Sequence, residues 1–143
     1  EQKAHIRRTF AQVEPIAPLA ASLFYGRLFE IAPQTQALFR YTPGTPGMAA
    51  QGKKLMQTLG VAVAHLDTLE MITPALAELA QRHVLYGVEP AHYDTVGAAL
   101  LWTLEQGLGE AFTPEVRAAW MQLYTLLATT MREAAYGQKR AVA

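Results

Sequence analysis

The sequence predicts an all-α fold, on three observations. Its apolar residues recur at spacings of three and four, they sit among Ala, Leu, Gln and Glu, and no segment shows the period-two alternation rich in Val, Ile and Thr that marks a strand. At 143 residues the chain is sized for one domain, spanning 1–143, with enough volume for a real core.

Each element has its punctuation. Pro15 and Pro18 separate a first helix over residues 2–13 from a second that runs to Ile31, because proline starts helices well and continues them badly. Pro33 begins a short helix ending near Phe39. Two prolines and two glycines make residues 41–47 the clearest loop in the chain, and a helix carrying Gln51 follows it. Thr73-Pro74 and Thr113-Pro114 each place a capping hydroxyl before a proline at the first helical position, and Glu89-Pro90 opens a helix between them. The tail after Tyr136 is expected to fray.

Composition narrows the chemistry. Twelve basic residues balance twelve acidic ones, so no net field steers the chain toward nucleic acid or an acidic membrane. The absence of cysteine removes disulfides, thiolate metal sites and thioether-linked cofactors. No stretch approaches the roughly 18 uninterrupted apolar residues that cross a bilayer, and the expected location is the cytoplasm. There is no catalytic serine environment, phosphate-binding glycine loop or buried pair of carboxylates.

The polar residues that face inward are few. Leu76, Leu79, Ala80 and His83 form an i, i+3, i+4, i+7 series, which turns His83 to the core. Two readings of it stand: a neutral imidazole bonded to a backbone carbonyl, or an axial ligand to a macrocycle that already supplies four nitrogens. His5, His65 and His92 offer it no standard zinc spacing. Gln51 begins a stripe with Leu55, Leu59 and Ala62, and Tyr25 stands in line with Leu28 and Phe29, where a buried hydroxyl wants a partner. Trp120 reads as packing within a Val116, Trp120, Leu123, Leu127, Met131 stripe; Trp102 lies off the apolar line of its helix.

Taken together, Leu23-Phe24-Tyr25-x-x-Leu28-Phe29, Leu38-Phe39, Gln51-x-x-x-Leu55, Arg82-His83, His92-Tyr93-x-x-Val96-Gly97 and Ala119-Trp120-x-x-x-Tyr124 resemble the globin domain of flavohaemoglobins and their single-domain bacterial relatives, over nearly the whole chain. The resemblance implies a globin fold, a helix sandwich around a haem pocket, holding haem b (iron protoporphyrin IX). It implies His83 as the proximal iron ligand, Phe39 packed on the haem, and Tyr25 with Gln51 as the distal hydrogen-bonding pair. Leu55 and Leu59 would wall the distal pocket; Tyr93, Val96, Leu100 and Tyr124 the proximal or inner wall; Lys53 and Arg82 would pair with propionates. In ferric protein, Lys54 or Tyr25 would be the side chains able to approach the iron.

One position departs from that family. Its last helix carries a glutamate fifteen residues after the tryptophan, where this chain has Ala135; Glu133 lies two residues earlier, about 200° round a helix. The flavin and nicotinamide domains are also absent from this sequence. The expected function is high-affinity, reversible binding of dioxygen at a five-coordinate ferrous haem. The alternatives are oxidation of nitric oxide with an external reductase and, more remotely, a haem-free helical interaction module. The expected quaternary state is a monomer or weak homodimer.

Overall fold

The computed structural model describes residues 2–38, 46–85, 88 and 90–137, which form six α-helices joined by short turns and no strand among them. These are α1 (Gln2–Val13), α2 (Ala17–Ile31), α3 (Pro46–Ala64), α4 (Thr73–Leu85), α5 (His92–Leu108) and α6 (Pro114–Arg132). Tight 3₁₀ turns at Glu14–Ile16, Pro33–Leu38, Leu69–Ile72 and Gly109–Ala111 connect them, and a π-helical turn, Glu133–Gly137, extends α6. Phe39, residues 41–45 of the expected loop and the tail from 138 lie outside the described residues.

The helix boundaries follow the punctuation with three corrections, the first being that Pro90 and Ala91 form a turn and α5 begins only at His92. Pro46 and Gly47 belong to the first turn of α3 rather than to the loop; proline at a helix start loses no hydrogen bond, since its missing N–H would have had no partner within the helix. Thr73 does not cap α4. A 3₁₀ turn feeds straight into that helix, so Thr73 is already helical, its N–H bonded to the Glu70 carbonyl and its hydroxyl turned back to the Leu69 carbonyl at 3.4 Å. Thr113 does cap α6, accepting the Val116 N–H at 3.2 Å. Helix α5 ends at Gly109, whose φ of +57° is open to glycine at little cost.

Packing divides the interior into two apolar clusters. The larger joins α1, α2, α3, α5 and the start of α6 through Phe10, Phe24, Leu28, Leu59, Leu100, Leu104, Val116 and Trp120. The smaller joins α4 to the end of α6 and the π turn through Ile72, Leu76, Ala80, Tyr93, Ala128 and Met131. Leu69, Tyr124 and Leu127 pack against both. Trp120 is 1 % exposed, and its indole N–H donates to the Thr9 hydroxyl at 2.8 Å, tying α6 to α1 across 111 residues of sequence. Thr9 passes its own proton to the His5 carbonyl at 2.7 Å, so the buried chain of donors is satisfied.

Candidate functional site

On one side of the interior, Tyr25 from α2 is 5 % exposed and lies among Phe24, edge-on with ring centroids 5.0 Å apart, and Phe29, at 6.1 Å. The Gln51 side chain, half-buried in the first turns of α3, hydrogen-bonds the Tyr25 hydroxyl. Burial pushes the Tyr25 hydroxyl up to about 12, with the Gln51 hydrogen bond partly opposing. The phenol is therefore held in its protonated, donating form. A glycine makes this meeting possible. A Cβ at Gly52 would stand 2.6 Å from the Ala21 Cβ, so only a bare Cα lets α3 come close enough to α2 for Gln51 to reach Tyr25. Leu55 and Leu59, one and two turns on, continue the same apolar stripe, half-buried and buried respectively.

His83 lies near the end of α4, which packs on α6 and the π turn. Its stripe is as the periodicity predicts: Leu76 and Ala80 are buried, Leu79 and His83 half-buried. Nδ1 donates to the Leu79 carbonyl at 2.7 Å, which places the proton on that nitrogen and the ligating lone pair on Nε2. Burial lowers the imidazole pKa, the Leu79 hydrogen bond opposes this and the Arg82 charge adds to it. A neutral imidazole with Nδ1–H fixed to a carbonyl is the form that binds iron. Both readings of His83 left by the sequence are thus compatible, since the carbonyl bond of a core histidine is also what orients a ligand.

Tyr93 and Tyr124 meet where α5 packs on α6. Tyr93 opens α5, is 6 % exposed, and its hydroxyl is the buried side-chain polar atom without a partner among the described residues. Burial, reinforced by Tyr136, raises its pKa against the opposing Arg132, whose guanidinium stands 5.6 Å from the ring centre. Tyr124 donates to the Tyr93 carbonyl at 2.5 Å, and burial raises its pKa further still. Ala135, where the flavohaemoglobin pattern has glutamate, packs into this same cluster, and Glu133 is exposed.

Of the remaining expected residues, Val96 and Leu100 line the larger cluster, half-buried and buried. Lys53 and Arg82 are exposed, with Arg82 4.0 Å from Glu78. Trp102 carries Arg27 over its ring at 5.1 Å, a surface contact rather than a site. Two surface concavities, of about 380 Å³ beside Trp102 and Phe112 and about 260 Å³ beside Arg132 and Tyr136, are lined by neither Tyr25, Gln51 nor His83. The sequence reading gave no role to Gly52 or Tyr136. Gly52 had a signal in its position beside Gln51, whereas the contacts of Tyr136 depend on a π turn that periodicity does not foretell.

The donor set fits a haem: one imidazole with Nδ1 bonded to a carbonyl on a half-buried helical face, a protonated phenol bonded to an amide, and a buried hydroxyl without a partner. No group of three or more His, Asp or Glu able to hold a bare metal ion occurs among the described residues. No helix among them is long and apolar enough to cross a membrane.

Comparison with known proteins agrees. The globin family model matches residues 22–131. The chain is 32 % identical to neuroglobin of Tetraodon nigroviridis over 118 residues, 76 % of this chain and 74 % of that protein. It is also 32 % identical to the flavohemoprotein of Vibrio cholerae over 123 residues and 34 % identical to that of Rhodopirellula baltica over 128, covering 86 % and 85 % of this chain but 31 % of each of those proteins. The resemblance to flavohaemoglobin globin domains is thus upheld, and neuroglobins match at similar identity. The chain belongs to the globin family, the haem proteins that bind gaseous ligands.

Proposed function

We propose that this globin carries haem b with His83 as its axial ligand and binds dioxygen reversibly and tightly beneath Tyr25 and Gln51. The observation that carries this reading is the Tyr25–Gln51 hydrogen bond, with the buried phenol kept in donor form, in the same chain as an imidazole whose Nδ1 is engaged by the Leu79 carbonyl. Haem, held by His83, would supply an iron able to bind a diatomic molecule reversibly. Tyr25 would offer its O–H as a hydrogen-bond donor to that molecule. A hydrogen bond to a charged group contributes about 1.5–3 kcal/mol, enough to slow ligand loss roughly ten- to a hundredfold. Gln51 orients the phenol, and Leu55 and Leu59 keep water away, which strengthens that bond.

On this reading Lys53 and Arg82, both exposed, reach the propionate edge with their charged ends. Five-coordination at the iron is part of this proposal; Tyr25 is protonated and Lys54 exposed. Oxidation of nitric oxide with a separate reductase is the second reading. Ala135 weighs against it, since the flavohaemoglobin pattern has a glutamate at that position.

Haem reconstitution followed by absorption spectroscopy tests the cofactor; a protein that takes up no haem and shows no Soret band overturns the reading. Stopped-flow mixing of the oxygenated protein with nitric oxide, in the presence of a reductase, separates the two functions. Sustained turnover makes the chain an enzyme, and a single stoichiometric reaction leaves it a binding protein.

A further inference from the structure

A cleft of about 380 Å³ lies where the end of α5 meets the start of α6, and none of Tyr25, Gln51 and His83 lines it. Its volume is that of a small-molecule site. Leu101, Trp102 and Phe112 give it an apolar and aromatic lining, the first buried and the two rings half-buried. Arg27 of α2 stands 5.1 Å from the centre of the Trp102 ring and pairs with Glu30 at 2.9 Å, so the indole is restrained from a third helix. The rim carries one carboxylate, Glu105, and one guanidinium, Arg117, both exposed. Among the described residues neither side chain joins an ion pair or a hydrogen bond. Each also stands at the wrong end of its helix. Glu105 is in the last turn of α5, where the exposed carbonyls are already negative, and Arg117 is in the first turn of α6, where the N–H groups are already positive. Two charges placed against their helix dipoles, unpaired and lining one cleft, break a local rule in the way functional positions do.

We propose that this cleft binds a small aromatic zwitterion of the aromatic α-amino acid class, its ring against Trp102 and Phe112, its ammonium toward Glu105 and its carboxylate toward Arg117. The two poles select the ligand. An anion alone leaves Glu105 unrelieved and a cation alone leaves Arg117 so, whereas a molecule carrying both charges complements both side chains and both helix ends. Thr113 adds a donor at the positive pole: its oxygen accepts the Val116 N–H at 3.2 Å, which leaves its O–H for the carboxylate. The aromatic lining makes the ring necessary, because an ion pair at an exposed rim contributes little without apolar burial beside it. No residue of the cleft belongs to the set that faces the haem, so the proposal does not rest on the reading of His83, Tyr25 and Gln51.

Isothermal titration calorimetry of the full chain with L-tryptophan, tryptamine, indole-3-propionate and indole tests the lining and each pole separately. One saturable site is expected, with L-tryptophan bound most tightly, the two singly charged compounds more weakly and indole weakest. Arg117→Gln should weaken L-tryptophan and indole-3-propionate about three- to tenfold and leave tryptamine unchanged. Glu105→Gln should weaken L-tryptophan and tryptamine by a similar factor and leave indole-3-propionate unchanged. Both positions are exposed, and each variant removes a charge from an unfavourable helix end, so the urea midpoints should equal or exceed that of the wild type. Absence of saturable binding of L-tryptophan overturns the proposal, as does an affinity that neither variant alters, or indole bound as tightly as L-tryptophan. Analytical ultracentrifugation covers the other occupant: a dimer that both variants dissociate overturns the small-molecule site and gives the cleft to a second copy of the chain.

Discussion

Gly97 presents a bare Cα to the face of Tyr124: a Cβ built there would stand 2.7 Å from Cε2 and 3.1 Å from Cδ2 of the ring. That ring is itself held by its hydroxyl on the Tyr93 carbonyl, so it cannot swing aside without breaking a buried hydrogen bond. Gly97→Ala is accordingly expected to destabilise the fold by about 1–3 kcal/mol, the usual cost of overpacking. Urea denaturation checks it, with an unchanged midpoint showing that the ring yields.

Tyr25 carries the ligand contact. Tyr25→Phe preserves the ring packing against Phe24 and Phe29 and deletes the donor, so the oxygen dissociation rate should rise roughly ten- to a hundredfold with little change in association. Flash photolysis and stopped-flow displacement measure both rates. An unchanged dissociation rate would remove Tyr25 from this role.

Gly52→Ala tests the approach of the two helices. With the Ala21 Cβ only 2.6 Å from the added methyl, α3 must retreat and Gln51 with it. The expected outcome is a loss of stability of about 1–3 kcal/mol together with faster oxygen release. Gln51→Ala should show the faster release at near wild-type stability, which separates the hydrogen bond from the helix spacing.

Tyr93 makes the opposite kind of prediction. Its hydroxyl is buried without a partner, so Tyr93→Phe removes an uncompensated polar group and should leave stability equal to wild type or raise it by up to about 1 kcal/mol. A loss beyond about 1 kcal/mol in thermal or chemical unfolding would show that the hydroxyl bonds something in solution. Ala135→Glu should instead give that hydroxyl a partner.

Alkaline titration follows from the raised tyrosines. A phenol whose folded pKa lies above its unfolded value near 10 binds its proton more tightly in the native state, so its contribution to stability is complete below pH 10 and is lost as pH rises toward the folded value. For Tyr25 that window is pH 10 to about 12. Tyr25→Phe should flatten the stability loss in that range, as measured by chemical denaturation at stepped pH. An identical slope in the variant would contradict the burial of the phenol.

The sequence by itself determined a great deal here. Helical periodicity turned His83, Gln51 and Tyr25 inward, proline and glycine placed most helix ends, and the joint pattern around Tyr25, Gln51 and His83 pointed to the globin family. These are local matters, since spacing along a helix dictates which face a residue occupies. Tertiary structure decided what those faces meet. That Gly52 and Gly97 are clearances for Ala21 and Tyr124, that Thr9 accepts the Trp120 N–H, and that the Tyr93 hydroxyl is buried without a partner among the described residues all depend on residues far apart in the chain. So does the hydrogen bond from Tyr136 to the Val88 carbonyl, which needs a π turn at the end of α6. Periodicity is blind to such a turn, because one inserted residue in the helical repeat changes the direction of every side chain after it.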